Sequence, residues 1–191
     1  MKVNEIFYSL QGEGHFTGTA ATFLRLSGCN LRCSFCDTDH EAGIDMSGDE
    51  IISELQKYPT KHLVITGGEP SLQINTEFID RLHQLSFFVQ VETNGVKHLP
   101  DNVDWVTCSP KYRPICYRKV NEIKCVYEGQ DSEAKINRLY NEVDAQHYYL
   151  QPCDVKDEHR NAEILAGCID FIKANPQWRL SLQTQKILDI R

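Results

Sequence analysis

Cys29, Cys33 and Cys36 stand in the run Gly28-Cys29-Asn30-Leu31-Arg32-Cys33-Ser34-Phe35-Cys36-Asp37-Thr38, a C-x3-C-x2-C spacing. Three closely spaced thiolates can hold three irons of a [4Fe-4S] cluster and leave the fourth iron open to chemistry. A structural zinc site wants four protein ligands, and here His40, Cys108, Cys116 or another distant group would have to complete it. Three soft ligands with no fourth beside them point to a reactive cluster ahead of a closed clamp. A second segment, Thr66-Gly67-Gly68-Glu69-Pro70, can offer backbone amides and carbonyls at close range because glycine has no Cβ.

Short apolar, β-branched runs alternate with amphipathic segments, the pattern of parallel strands joined by crossover helices. Strands are predicted over residues 22–26, 62–66, 87–92, 103–108, 122–127, 147–151 and 179–183. Ser47-Gly48-Asp49-Glu50 reads as a capping box, followed by an apolar stripe of Ile51, Ile52 and Leu55 and stopped by Pro59. Further helices are predicted from Thr76, from Ser132 and over 161–174. The fold class expected is α/β, a partial (incomplete) parallel TIM-like barrel, with residues 1–191 as one domain. The glycine-containing and polar segments repeatedly follow predicted strands, and in barrels of parallel strands those carboxyl ends share the face on which active sites form.

At 191 residues with 41% hydrophobic and 25% charged residues, the chain can bury a core without disulfides. Eight cysteines are too sparse for a disulfide scaffold. The start Met1-Lys2-Val3-Asn4-Glu5 lacks a signal-peptide stretch, and no run approaches the roughly 18 apolar residues of a membrane span. A cytoplasmic, reducing setting and no membrane association are expected. A net charge of −7 works against binding to nucleic acid. The basic residues Arg25, Arg32, Lys111 and Arg113 fall near the candidate segments and suit a small anionic ligand.

With Phe35 before its last cysteine, and with Gly67-Gly68-Glu69-Pro70, the chain resembles the radical S-adenosylmethionine superfamily. It resembles more narrowly the 7-carboxy-7-deazaguanine synthases of the queuosine pathway. The carriers are Ile6-Phe7-Tyr8-Ser9-Leu10-Gln11-Gly12-Glu13-Gly14, the approach Arg25 to Leu31, the ending Cys36-Asp37-Thr38 and the terminal Leu180-Ser181-Leu182-Gln183-Thr184. The resemblance implies a radical SAM domain with an N-terminal substrate-binding extension. It implies a lyase that contracts the ring of 6-carboxy-5,6,7,8-tetrahydropterin to 7-carboxy-7-deazaguanine with loss of ammonia. Implied cofactors are a [4Fe-4S] cluster on Cys29, Cys33 and Cys36, S-adenosylmethionine, and Mg2+ on Thr38.

For S-adenosylmethionine the implied contacts are Phe35, Cys36, Asp37, Gly68, Glu92, Asn94, Ser109, Pro110, Lys111 and Gln151-Pro152-Cys153-Asp154. For the pterin they are Leu10, Gln11, Gly12, Arg25, Thr66 and Arg191, the last through its terminal carboxylate. A homodimer and a reducing partner such as flavodoxin or ferredoxin are implied too. Family members often carry histidine where this chain has Gln185, and a glutamine hydrogen-bonds but carries no proton. Cys108, Cys116, Cys125, Cys153 and Cys168 show no second cluster spacing, and Cys125 and Cys168 are expected as buried small hydrophobes. Two other readings share part of this pattern: a radical activase acting on a protein partner, and a non-enzymatic zinc module.

Overall fold

The computed structural model describes residues 1–36, 42–111 and 114–191. Asp37, Thr38, His40 and Arg113 lie outside the described residues. The strands are β1 (Lys2–Leu10), β2 (Ala20–Leu26), β3 (Ile44–Asp45), β4 (His62–Gly67), β5 (Phe88–Thr93), β6 (Trp105–Cys108), β7 (Lys119–Tyr127), β8 (Asp144–Pro152) and β9 (Arg179–Leu180). Among the described residues they form one nine-stranded sheet in the order β3-β1-β2-β4-β5-β6-β7-β8-β9. From β2 to β9 every pairing is parallel, while β1 runs antiparallel to both β2 and β3. With β3 and β9 at its two edges, the sheet curls into an incomplete barrel, as the alternating pattern predicts.

Helices α1 (Gly48–Leu55), α2 (Thr76–Gln84), α3 (Glu133–Glu142) and α4 (Glu158–Ala174) cross between strands, and a short α5 (Thr184–Ile187) follows β9. The capping box at α1 forms as predicted, with Glu50 N donating to Ser47 Oγ at 3.2 Å and Ser47 N donating to the Glu50 carboxylate at 2.7 Å. α4 begins ahead of its predicted start because Asp157 caps it, accepting from Arg160 N at 2.9 Å. The predicted strand over 179–183 stops at Leu180. Ser181 then turns inward, its hydroxyl accepting from Gly14 N at 2.9 Å.

Period-two alternation divides the barrel into two surfaces. Leu24, Leu26, Leu63, Ile65, Val89 and Val91 pack outward with Ile51, Leu55, Phe78 and Leu82 of α1 and α2. Ile123, Cys125, Tyr127 and Leu150 pack outward with Ile136, Leu139, Ile164 and Cys168 of α3 and α4. Cys125 and Cys168 are therefore the buried hydrophobes expected, their thiols pushed by burial to about 12. Strand positions in between point inward, where Gln90, Thr107, Glu122 and Lys124 are buried on one side and Phe7, Phe23 and Val64 form an apolar patch on the other. Among the described residues, no helix is long and apolar enough to cross a membrane.

Candidate active site

The segment that follows β2 carries the three cysteines onto the rim of a cavity of about 250 Å3, lined also by Arg25, Thr66, Glu92 and Lys124 from the strand ends. Leu31 N donates to Cys29 Sγ at 3.4 Å, and Cys36 N donates to Cys33 O at 3.2 Å. Burial raises the thiols of Cys29 and Cys33, and in each case the charges of neighbouring cysteines add to the rise. Such thiols surrender their protons to a metal rather than to water, so loading would release protons. Cys108 packs instead in the outer core beside β7, away from the cavity. Three thiols on one wall of an open cavity fit a cluster with a free coordination position.

Gly67 and Gly68 are demanded by backbone crowding. Gly67 has φ +113°, and a Cβ on Gly68 would lie 1.9 Å from the Gly28 carbonyl oxygen. The sequence suggests that this turn offers amides and carbonyls to a ligand, but its amides are already committed. Gly68 N donates to Leu26 O at 2.8 Å and Glu69 N to Gly28 O at 2.9 Å. What remains is a set of carbonyls, which suits an ammonium. Glu69 is fully buried and faces the protein: its carboxylate accepts from Thr93 Oγ1 at 2.7 Å, Asn94 N at 2.8 Å and Ser71 N at 3.0 Å. Asn94 Nδ2 in turn donates to Asn30 Oδ1 at 2.8 Å, tying the end of β5 to the cysteine run.

On the far wall Lys111 Nζ sits 2.9 Å from Ser109 Oγ and 5.4 Å from the centre of the Phe35 ring. Burial lowers its pKa, and the charge of Lys124 lowers it further. Gln151 and Pro152 at the end of β8, and Cys153 and Asp154 just after it, line the cavity. Asp154 is held well below the usual carboxylate range by its hydrogen bond from Lys186, 2.7 Å away, and by those from Lys156 N and Asn161 Nδ2. Ser109, Lys111, Phe35 and Asn94 thus converge, as the resemblance implies. Pro110 does not line the cavity; its carbonyl faces Lys135 Nζ at 3.5 Å.

The loop after β1 brings Gln11 and Glu13 inside the barrel, where they meet Glu92, Lys124, Gln183 and Gln185. Gln11 Nε2 donates to Glu92 Oε1 at 3.1 Å. Lys124 Nζ bridges Glu13 at 2.5 Å and Glu92 at 3.0 Å. Gln183 and Gln185 each donate to Glu13 Oε1 at 3.0 Å. Burial alone would raise the Glu13 carboxyl, but the Lys124 charge and hydrogen bond, with the two glutamines, outweigh it and hold it at about 2. Burial would lower Lys124, yet Glu13, Glu92 and Glu122 raise it above the ordinary lysine value. Because the Glu13 pKa is depressed on folding, the stability it lends is present above its ordinary 4.5 and is lost as pH falls toward 2.

Nearer the mouth, Arg25 Nε pairs with Glu5 at 2.9 Å and its guanidinium carbon lies 5.6 Å from the Phe7 ring centre. The Arg191 side chain pairs with the same Glu5 at 2.7 Å, and its main-chain oxygen accepts from Ser9 Oγ at 2.5 Å. Leu10, Gln11, Gly12, Arg25, Thr66 and Arg191 therefore share the cavity with the cysteines. Glu92, grouped by resemblance with the S-adenosylmethionine residues, lines the same cavity and accepts there from Gln11 Nε2. Lys124 is absent from the sequence reading, although Glu122 and Lys124, two positions apart on β7, signal an ionisable inward face.

The profile of the Radical SAM superfamily matches residues 24–106 of this chain. The 7-carboxy-7-deazaguanine synthase of Bacteroides thetaiotaomicron is 52% identical over 191 residues, covering 100% of this chain and 98% of that protein. That of Neisseria meningitidis is 37% identical, covering 97% of this chain and 92% of that protein. The crystal structure of QueE from Escherichia coli superposes with a TM-score of 0.80 at 28% identity, covering 95% of this chain and 92% of that one.

Proposed function

Since the chain belongs to the 7-carboxy-7-deazaguanine synthases of the radical S-adenosylmethionine superfamily, we propose that it acts as a carbon–nitrogen lyase. It contracts 6-carboxy-5,6,7,8-tetrahydropterin to 7-carboxy-7-deazaguanine with loss of ammonia. The observation that carries this reading is the single cavity shared by three thiols, a buried acid–amide cluster and Arg25. Cys29, Cys33 and Cys36 would hold a [4Fe-4S] cluster, and Phe35, Asn94, Ser109, Lys111 and residues 151–154 would hold S-adenosylmethionine. When bound, these groups supply the one-electron chemistry of the ring contraction.

The chain's own residues bind and orient the pterin. Glu13 and Glu92 present acceptors to the donor edge of a heterocycle, and Gln11 is oriented by its bond to Glu92. Arg25 faces a carboxylate, already aligned by Glu5, so little ordering entropy is lost on binding. Thr38 and Asp37, outside the described residues, are proposed as the Mg2+ ligand and a cofactor contact; Mg2+ would act as template and Lewis acid on substrate oxygens. Residues 1–191 serve as one catalytic domain, with the loop after β1 as its substrate-binding extension. Reduction by a flavodoxin or ferredoxin, a cytoplasmic setting and a homodimer complete the proposal.

Anaerobic incubation with the carboxylated tetrahydropterin, S-adenosylmethionine, Mg2+ and a reductant is expected to yield the deazaguanine product by mass. Its absence from a fully loaded protein would refute the reading. Arg25→Ala is expected to weaken pterin binding about 10- to 100-fold, the loss of a charge-assisted pair worth roughly 1.5–3 kcal/mol, while the cluster absorption stays unchanged. Calorimetric titration checks this, and an unaltered affinity would remove Arg25 from the substrate site.

A further inference from the structure

Lys124 joins parts of the chain that are remote in sequence. Its side chain is 5% exposed, and its ammonium touches Glu13 from the loop after β1 and Glu92 from the end of β5. Each carboxylate gives one oxygen to Lys124 and the other to amides: Glu92 to Gln11, Glu13 to Gln183 and Gln185. Every one of these bonds is accepted by the carboxylate. A proton on either acid would turn one acceptor into a donor and break a bond already made. Both acids line the cavity, so their protonation state decides whether the wall offers acceptors or an O–H to a ligand.

We propose that Lys124 is a positioning residue that holds Glu13 and Glu92 side by side and keeps Glu13 ionised, so that the cavity presents an acceptor-only wall to the N–H edge of its substrate. The substrate half of this inference rests on the reading given above. The charged groups facing the pair are Lys124, Glu122 beside it on β7, and Lys111 from the segment after β6. Glu122 is raised chiefly by burial, and the charge of Lys124 works against that rise. Without Lys124, two partly buried carboxylates would face each other without the ammonium that now bridges them, and Glu13 would take up a proton.

The test compares kcat/KM for the pterin against pH in the loaded native enzyme, Lys124→Met and Lys124→Arg. The native and Arg proteins are expected to hold a level profile between about pH 6 and 8. In Lys124→Met the raised acid pKa is expected to bring an acid limb into that window, a loss of about tenfold per pH unit carried mainly by KM. A Lys124→Met profile parallel to the native one would overturn the proposal. Should Lys124→Met fail to fold, infrared spectra of native protein, with Glu13→Gln and Glu92→Gln to assign the bands, decide the matter. Glu13 is expected to show no protonated-carboxyl band between about pH 5 and 8, and such a band from it would overturn the proposal. Native enzyme that fails to convert the pterin would refute the family reading, while the infrared result would still judge Lys124.

Discussion

Alanine at Cys29, Cys33 or Cys36 is expected to abolish S-adenosylmethionine cleavage completely. Each thiol is one of three on the segment after β2 that lines the cavity; the fourth thiol of that lining, Cys153, follows β8 among the residues assigned to S-adenosylmethionine, and Cys108 is packed in the outer core. The native protein, purified without oxygen, should be brown and contain iron and sulfide, and each variant should lose both with its 5′-deoxyadenosine formation. Retained 5′-deoxyadenosine formation in any of the three would count against the cluster assignment. A colourless native protein holding one zinc would favour the zinc module instead.

Glu69→Ala carries the largest expected cost to stability. The buried carboxylate accepts from Thr93, Asn94 and Ser71, and its removal leaves those donors without water or protein to receive them. At roughly 1–3 kcal/mol for each of the three buried donors left unpaired, the loss is about 3–9 kcal/mol, or a fall in Tm of at least roughly 6–12 °C for a chain of this size. Thermal melting of variant and native protein measures it. The turn at Gly67 and Gly68 would also lose its tie to the end of β5, so cluster loading should fall with stability. A melting point within about 2 °C of native would show that Glu69 is dispensable to the fold.

Much of the frame was legible because local signals agreed. β4 and β5 are apolar runs, and α1 announces itself through the Ser47–Glu50 capping box. β1 was not among the predicted strands, and the reason is physical: Asn4 and Glu5 put polar residues at successive positions, where the β1–β2 register shifts between Val3 and Glu5. Val103 was read into β6, but its amide closes a turn onto Pro100 O at 3.3 Å, and the strand begins at Trp105. For the site, the cysteine spacing and the glycine pair are local and could be read. The inward role of Glu69 could not, since a Gly-Gly-Glu-Pro turn looks the same whether its carboxylate faces a ligand or a strand end. Nor could the joining of Glu13 to Gln185, because no local pattern marks a contact across 172 positions.

That separation has a kinetic meaning. Gly14 bonds to Ser181 across 167 positions, and Ser9 to Arg191 across 182. Both helix-packed layers of the barrel are built from strands and helices close in sequence, so they can condense early, whereas contacts of such long range carry the loop-closure cost last. A nascent chain would thus acquire its barrel before its binding chamber. The chamber closes only when residues 181–191 dock against β1 and the loop after it, so the capacity to bind a ligand is the last property the fold acquires.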